Sequence, residues 1–347
     1  MMSDLSCGGQ SISVWQAKPQ PEQNQETDMT RYYALEAIRA QPWAILPAHL
    51  GAIEAIAARA LETPVLDVLR ADGHAERYQT MLSAVADTGK RMNGTNNVTL
   101  NKQGVATIPV MGPIFPRANL LTEFSGATDL SSLSADLQAA LSSADVKQIL
   151  MVFDSPGGVT TGVSDMASQI AASSKPVTAF VPGMAASAAY WLASQCSTIL
   201  MDNTALVGSI GVVMSGAKQV EPDANGMMEV DIVSSNAPNK RLDVTSDDDQ
   251  AQIRTVLDDL EAVFLQAVAQ GRHTSVDNVK QNFGQGGMKV ANSAISAGMA
   301  DGISTLSATL AKLGAANPPK TPVKSAPRRA AAMADLEARR KLAEGHA

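Results

Sequence analysis

Short apolar runs alternate with helical-period segments along most of this chain. Residues 105–110 read as a strand that ends at Gly112-Pro113, and Leu130, Leu133, Leu137 and Leu141 then recur on one face of a helix. Residues 146–153 carry the uninterrupted run ILMVF, the mark of a strand buried on both faces, and stop at Asp154-Ser155-Pro156-Gly157-Gly158. A helix over 161–172 buries Val163, Met166 and Ile170. Residues 177–181 form another β-branched run, broken by Pro182-Gly183 before an Ala-rich buried helix with Tyr190, Trp191 and Leu192. Further strands are predicted at 198–201, 210–214 and 229–234. A long helix is expected to start at Ser246, with Asp249 completing a capping-box variant, and to show Ile253, Val256, Leu257, Leu260, Phe264 and Val268 on its apolar face.

Strands alternating with helices in this way predict an α/β fold with a largely parallel sheet. Upstream, residues 31–70 are helical in period, through Leu35, Ile38, Leu50, Ile53 and Ile56, and a polar stretch at 88–102 separates them from the main domain. Four regions are therefore expected: a disordered tail at 1–28, a helical N-terminal arm and linker at 29–102, a main domain at 103–315, and a flexible linker with a short helix at 316–347.

Composition narrows the function classes. The chain has 347 residues, 45% of them hydrophobic but only 4% aromatic, so small and medium side chains must fill its core. A net charge of −7 offers no basic surface for nucleic acid. The two cysteines, Cys7 and Cys196, lie in unlike contexts and suit a reducing compartment. No run of about 18 apolar residues suggests a membrane anchor, and the expected location is the cytoplasm. HExxH, paired CxxC, Walker and GxGxxG patterns are absent, so neither a metal nor a cofactor is expected.

Ser187 is the residue placed for chemistry. At the first turn of the Ala-rich helix its oxygen lies near unsatisfied backbone N–H groups and the positive end of the helix dipole. Taken alone, a serine there is more often a helix N-cap. The consecutive Gly157-Gly158 let backbone N–H groups face a ligand oxygen, as an oxyanion hole requires, although an ordinary strand-to-helix turn has the same look. Gly208-Ser209-Ile210-Gly211 is weak as a lone motif. The four histidines, His49, His74, His273 and His346, are remote in sequence from these loops, which argues against a Ser-His-Asp triad. A lysine can replace histidine as the base if burial lowers its pKa from roughly 10.4 toward 7 to 8. Lys240 follows the predicted strand at 229–234, with Pro238 stiffening its approach; by type alone it is a surface lysine.

The ordered set DSPGG, GMAASAAYW, GSIGV, a lysine after a strand and turn, and GQGGMKVANSAISAGMADGI at 284–303 resembles the signal peptide peptidase A family of Ser-Lys proteases. Within it the set is most similar to the phage head-maturation branch of the lambda minor capsid protein C type, and Pro42-Trp43-Ala44-Ile45 is similar to the arm preceding the domain there. The resemblance covers about residues 105–310. It implies a Clp-protease/crotonase-like superhelix of β-β-α units, assembly into a homo-oligomeric ring, and polypeptide substrates such as scaffold, capsid or portal proteins. By position it implies Ser187 as nucleophile, Lys240 as general base, Ser209 as the hydroxyl orienting that lysine, and Gly157 and Gly158 as oxyanion donors. Ala188-Ala189 depart from the usual Gly-Gly after the nucleophile, and the lysine loop departs from the G-x-x-K form. A catalytically silent ring component, a soluble signal-peptide-peptidase-like protease of the host and a crotonase-type acyl-CoA enzyme are the competing readings.

Overall fold

The computed structural model describes residues 38–39, 41–59, 74–118, 127–216 and 232–315, together with 218, 221, 222, 226, 228 and 230. The predicted tail at 1–28 and the C-terminal segment at 316–347 lie outside the described residues. The strands are β1 (Trp43–Ile45), β2 (Lys90–Arg91), β3 (Thr99–Leu100), β4 (Val105–Met111), β5 (Ile114–Phe115), β6 (Thr128–Asp129), β7 (Gln148–Asp154), β8 (Gly157–Val159), β9 (Val177–Val181), β10 (Met184–Ala186), β11 (Thr198–Met201), β12 (Leu206–Gly208), β13 (Met288–Val290) and β14 (Gly302–Ile303). The helices are α1 (Pro47–Arg59), α2 (His74–Val85), α3 (Leu130–Ser142), α4 (Val163–Ala171), α5 (Ala188–Ala193), α6 (Asp247–Gly271), α7 (Val276–Asn282), α8 (Ala291–Ala297) and α9 (Leu306–Ala315).

Seven strands form the main sheet in the order β14-β11-β9-β7-β4-β3-β2, parallel from β14 to β4 and antiparallel from β4 to β2. After each of β4, β7, β9 and β11 the chain turns sharply into a second short strand that leaves this sheet. β5 and β8 enter a four-stranded sheet, β1-β8-β5-β6, while β10 and β12 enter a three-stranded one with β13. Repetition of this strand-turn-strand-helix unit winds the chain into the expected α/β superhelix, and the turns line up along one edge. The apolar runs explain the geometry: β7 and β9 have helices or further strands on both faces, and every residue of β9 is buried. The main core joins Ile149, Met151 and Phe153 of β7 to Leu133 and Leu137 of α3, Met166 and Ile170 of α4, and Tyr190, Trp191 and Leu192 of α5. Trp191 stacks on Phe264 of α6 with ring centroids 4.6 Å apart.

Five expectations are corrected. No strand forms at 210–214, where Val213 alone makes an isolated bridge to Trp43. Residues 43–45, inside a predicted helical region, form β1, because Pro42 and Pro47 confine the helix to α1 and because Trp43 finds strand partners on both sides. The polar stretch at 88–102 is not merely a separator, since β2 and β3 extend the main sheet there. No strand forms at 229–234 among the described residues; Val230 and Ile232 are 77% and 93% exposed, with no sheet edge to receive them. Helix α6 begins as predicted at Ser246, but Ser246 makes no side-chain cap and Asp249 instead accepts the N–H of Asp243. Of its predicted apolar face only Phe264 and Val268 are buried, while Val256 is exposed.

Candidate active site

Two adjacent parallel strands carry the two serines. In the β10–β12 pair Ala186 lies opposite Gly208, so Ser187 and Ser209 follow side by side at the strand ends. The Ser187 N–H donates to the Gly208 carbonyl at 2.7 Å, and the Ser209 N–H donates to the Gly287 carbonyl at 2.8 Å. Both serines have φ of 54°, a left-handed conformation that non-glycine residues avoid and that costs about 1–3 kcal/mol. The strain at Ser187 comes from reversing direction within one residue, from β10 into α5. It turns the side chain out of capping position: Ser187 makes no cap to the helix, and its Oγ is buried without a hydrogen-bond partner. The N-cap alternative is thereby removed.

Gly157 lies against this serine. A Cβ at Gly157 would stand 2.9 Å from the Ser187 Cβ and 2.2 Å from the Ala44 carbonyl oxygen, and its φ of 100° also calls for glycine. The Gly157 N–H points to Ser155 Oγ at 3.2 Å, a long bond that a developing negative charge can displace. Gly158 has a different task. In the antiparallel β1–β8 ladder, Thr160 donates to Pro42 and Leu46 donates to Pro156, which makes Ala44 and Gly158 the hydrogen-bonded pair between them. Its N–H is therefore turned to Ala44 rather than to the serine. A Cβ there would meet the Ile114 carbonyl oxygen at 1.9 Å, so close approach of β5 dictates this glycine.

Lys240 makes no hydrogen bond to Ser187 within the chain. It ends a one-turn 3-10 helix, Pro238–Lys240, on an exposed segment, and Ser187 Oγ bonds to no residue among those described. The absence of a bond to Ser187 Oγ applies equally to His49 and His273, the histidines whose side chains are described. No cluster of His, Cys, Asp or Glu suited to a metal occurs among the described residues.

Three features were not anticipated from sequence. The Ala188 N–H, first in α5, has no acceptor within the helix and lies next to the nucleophile position. The Asp154 carboxyl, which ends β7, accepts the Met184 N–H at 3.1 Å and braces the turn before β10; burial pushes its pKa up. Most unexpected is β1, which reaches both loops of the site. It pairs with β8 on one side, and on the other Trp43 exchanges N–H···O bonds of 2.8 Å with Val213, just past the Ser209 loop.

The β-β-α superhelix with a glycine pair and a strained serine at one edge defines the Clp-protease/crotonase class, and a Clp protease family model matches residues 120–207. Residues 169–317 match the model of peptidase family S49. It is 31% identical over 234 residues to capsid assembly protease C of Escherichia phage lambda, covering 65% of this chain and 52% of that protein. It is 32% identical over 203 residues to head-tail preconnector protein GP5 of Enterobacteria phage P21, covering 57% and 40%. Protease 4 of Haemophilus influenzae is 24% identical over 205 residues, covering 55% and 32%. The chain thus spans about half or less of the length of these relatives.

Proposed function

We propose that the chain is a serine endopeptidase with a Ser-Lys dyad, acting on scaffold, capsid or portal proteins in an assembling phage head within the host cytoplasm. The observation that carries this reading is Ser187 itself: a strained residue at a strand-to-helix turn, its buried hydroxyl unpartnered and set against Gly157. Neutral Lys240 takes the proton from Ser187 Oγ as the oxygen bonds to the scissile carbonyl carbon. The resulting oxyanion is held by the N–H groups of Gly157 and Ala188. Collapse breaks the C–N bond, and the lysine ammonium gives its proton to the leaving amine. A water then attacks the acyl-serine, its proton passing to Lys240, and Ser187 is regenerated. Ser209, beside Ser187, holds the amine in line.

Lys240 must be desolvated to act as a base near neutral pH. Its exposed position in one chain supports assembly: a second copy brings the lysine segment against the serine edge, in a ring whose contacts cover Met228, Val230 and Ile232. Treatment with a fluorophosphonate, followed by intact mass, tests the nucleophile; labelling at Ser187 is expected, and none would sink the protease reading. Mixing inactive Ser187→Ala with inactive Lys240→Ala tests the shared site. Activity is expected to return in mixed rings, whereas a silent mixture would place both residues in one subunit.

A further inference from the structure

Strand β1 fills a slot that runs past the nucleophile. Both of its backbone edges are used: Trp43 bonds to Val213 on one side and Ala44 pairs with Gly158 on the other. Its flanks are held as well, since Leu46 donates to Pro156 and Thr160 donates to Pro42. The strand crosses directly over Gly157, whose missing side chain would touch the Ala44 carbonyl and Ser187 together. Below it Ser187 is only 1% exposed. An enzyme that cuts polypeptides needs an extended-chain site at that place, and the chain's own strand occupies it.

We propose that the slot between β8 and Val213 is the groove for an extended polypeptide, and that β1 is its built-in occupant, displaced when substrate enters by strand addition. This rests on the serine-protease reading above. Backbone pairing to Gly158 and Val213 supplies sequence-tolerant affinity, and side pockets supply preference. The occupant shows what those pockets accept. Trp43 and Ile45 sit in a satellite cluster with Ile38, Leu50, Ile53, Phe115 and Val159, apart from the main core, while the small Ala44 faces that core. The favoured segment is therefore large apolar, small, large apolar. Because its two large side chains lie in the separate cluster, departure of β1 withdraws only the small Ala44 from the main core. The Trp43 indole N–H, bonded to the Ile38 carbonyl at 2.8 Å, and its edge contact with Phe115 add to the backbone bonds that hold it in place.

Two measurements on the full chain test this. Trp43→Ala should accelerate fluorophosphonate labelling of Ser187 by about tenfold or more, since it removes the largest buried side chain that anchors the occupant; an unchanged rate overturns the proposal. The second needs no substitution. The tripeptide aldehyde acetyl-Leu-Ala-Leu-al is bound to the unaltered protein and amide hydrogen exchange is followed. The Trp43 and Ala44 amides should lose their protection by at least tenfold in the adduct, and retained protection with the adduct formed overturns the slot alone. If neither probe modifies Ser187 in either protein, the serine reading fails and the slot falls with it.

Discussion

The two sides of the proposed site are built in opposite ways. Ser187, Ser209 and Gly157 stand at the ends of short paired strands, buried; Ser187 and Ser209 donate to Gly208 and Gly287, and Gly157 lies between Pro156 and Gly158, which pair with β1. Lys240 stands on a segment where Val230 and Ile232 face outward and where the polar contacts are local, such as the ion pair between Lys218 and Asp243. Strain at the serine is held because the sheet over-determines it. The lysine side carries no such constraint, so its position is left to whatever binds it. In the proposed dyad, a nucleophile built in advance and a base supplied on assembly would keep cleavage silent until copies of the chain meet.

That contrast can be broken most sharply at the serine. Ser187→Ala is expected to abolish peptide cleavage, by about 10⁴-fold or more. It should also raise the melting temperature slightly, because it removes a buried hydroxyl that has no partner. Lys240→Ala is expected to lower cleavage by about 10² to 10⁴-fold. Its unfolding free energy should stay within about 0.5 kcal/mol of the parent, as for an exposed residue. Equal destabilisation by both substitutions would erase the distinction between the two sides.

Smaller effects sharpen the comparison. Gly158→Ala should destabilise the protein by about 3 kcal/mol or more, since its Cβ would stand 1.9 Å from the Ile114 carbonyl oxygen and backbone must move. Ile232→Ser, on the lysine side, should leave thermal unfolding unchanged and weaken oligomer formation in sedimentation; unaltered assembly would place the ring contact elsewhere. The pH dependence is subtler. Burial raises the Asp154 pKa in the folded state, so the fold favours its protonated form. The stability from that preference is present below the usual carboxylate range near 4 and is lost as pH rises through the raised value. Asp154→Asn should flatten that part of a stability profile. Asp301 works the other way: burial pushes its carboxyl up, but the bonds from Arg272 and the Ile199 N–H outweigh this and hold it low. Its stabilisation is present above the usual range and is lost on acidification.

Much of this was legible in the chain. The runs at 105–111, 148–154, 177–181 and 198–201 are mostly apolar because each strand is largely enclosed on both faces, and such strands leave a strong trace. Gly157 and Ser187 were legible because their conformations restrict what residue fits or mark a sharp turn. The segment at 229–234 misled because alternating apolar residues look alike whether a neighbouring strand covers them or they face outward. Residues 43–45 were missed because three residues are too few to show a period, and their pairing partners lie more than 100 positions away. Sequence alone determined the parallel α/β winding and the order of the motifs, since burial and turn chemistry act locally. Only the tertiary structure decided that the Gly158 N–H faces a strand rather than the serine, that Lys240 makes no hydrogen bond to Ser187 in one chain, and that β1 lies across the site, because hydrogen-bond direction and the meeting of distant segments depend on the closed superhelix.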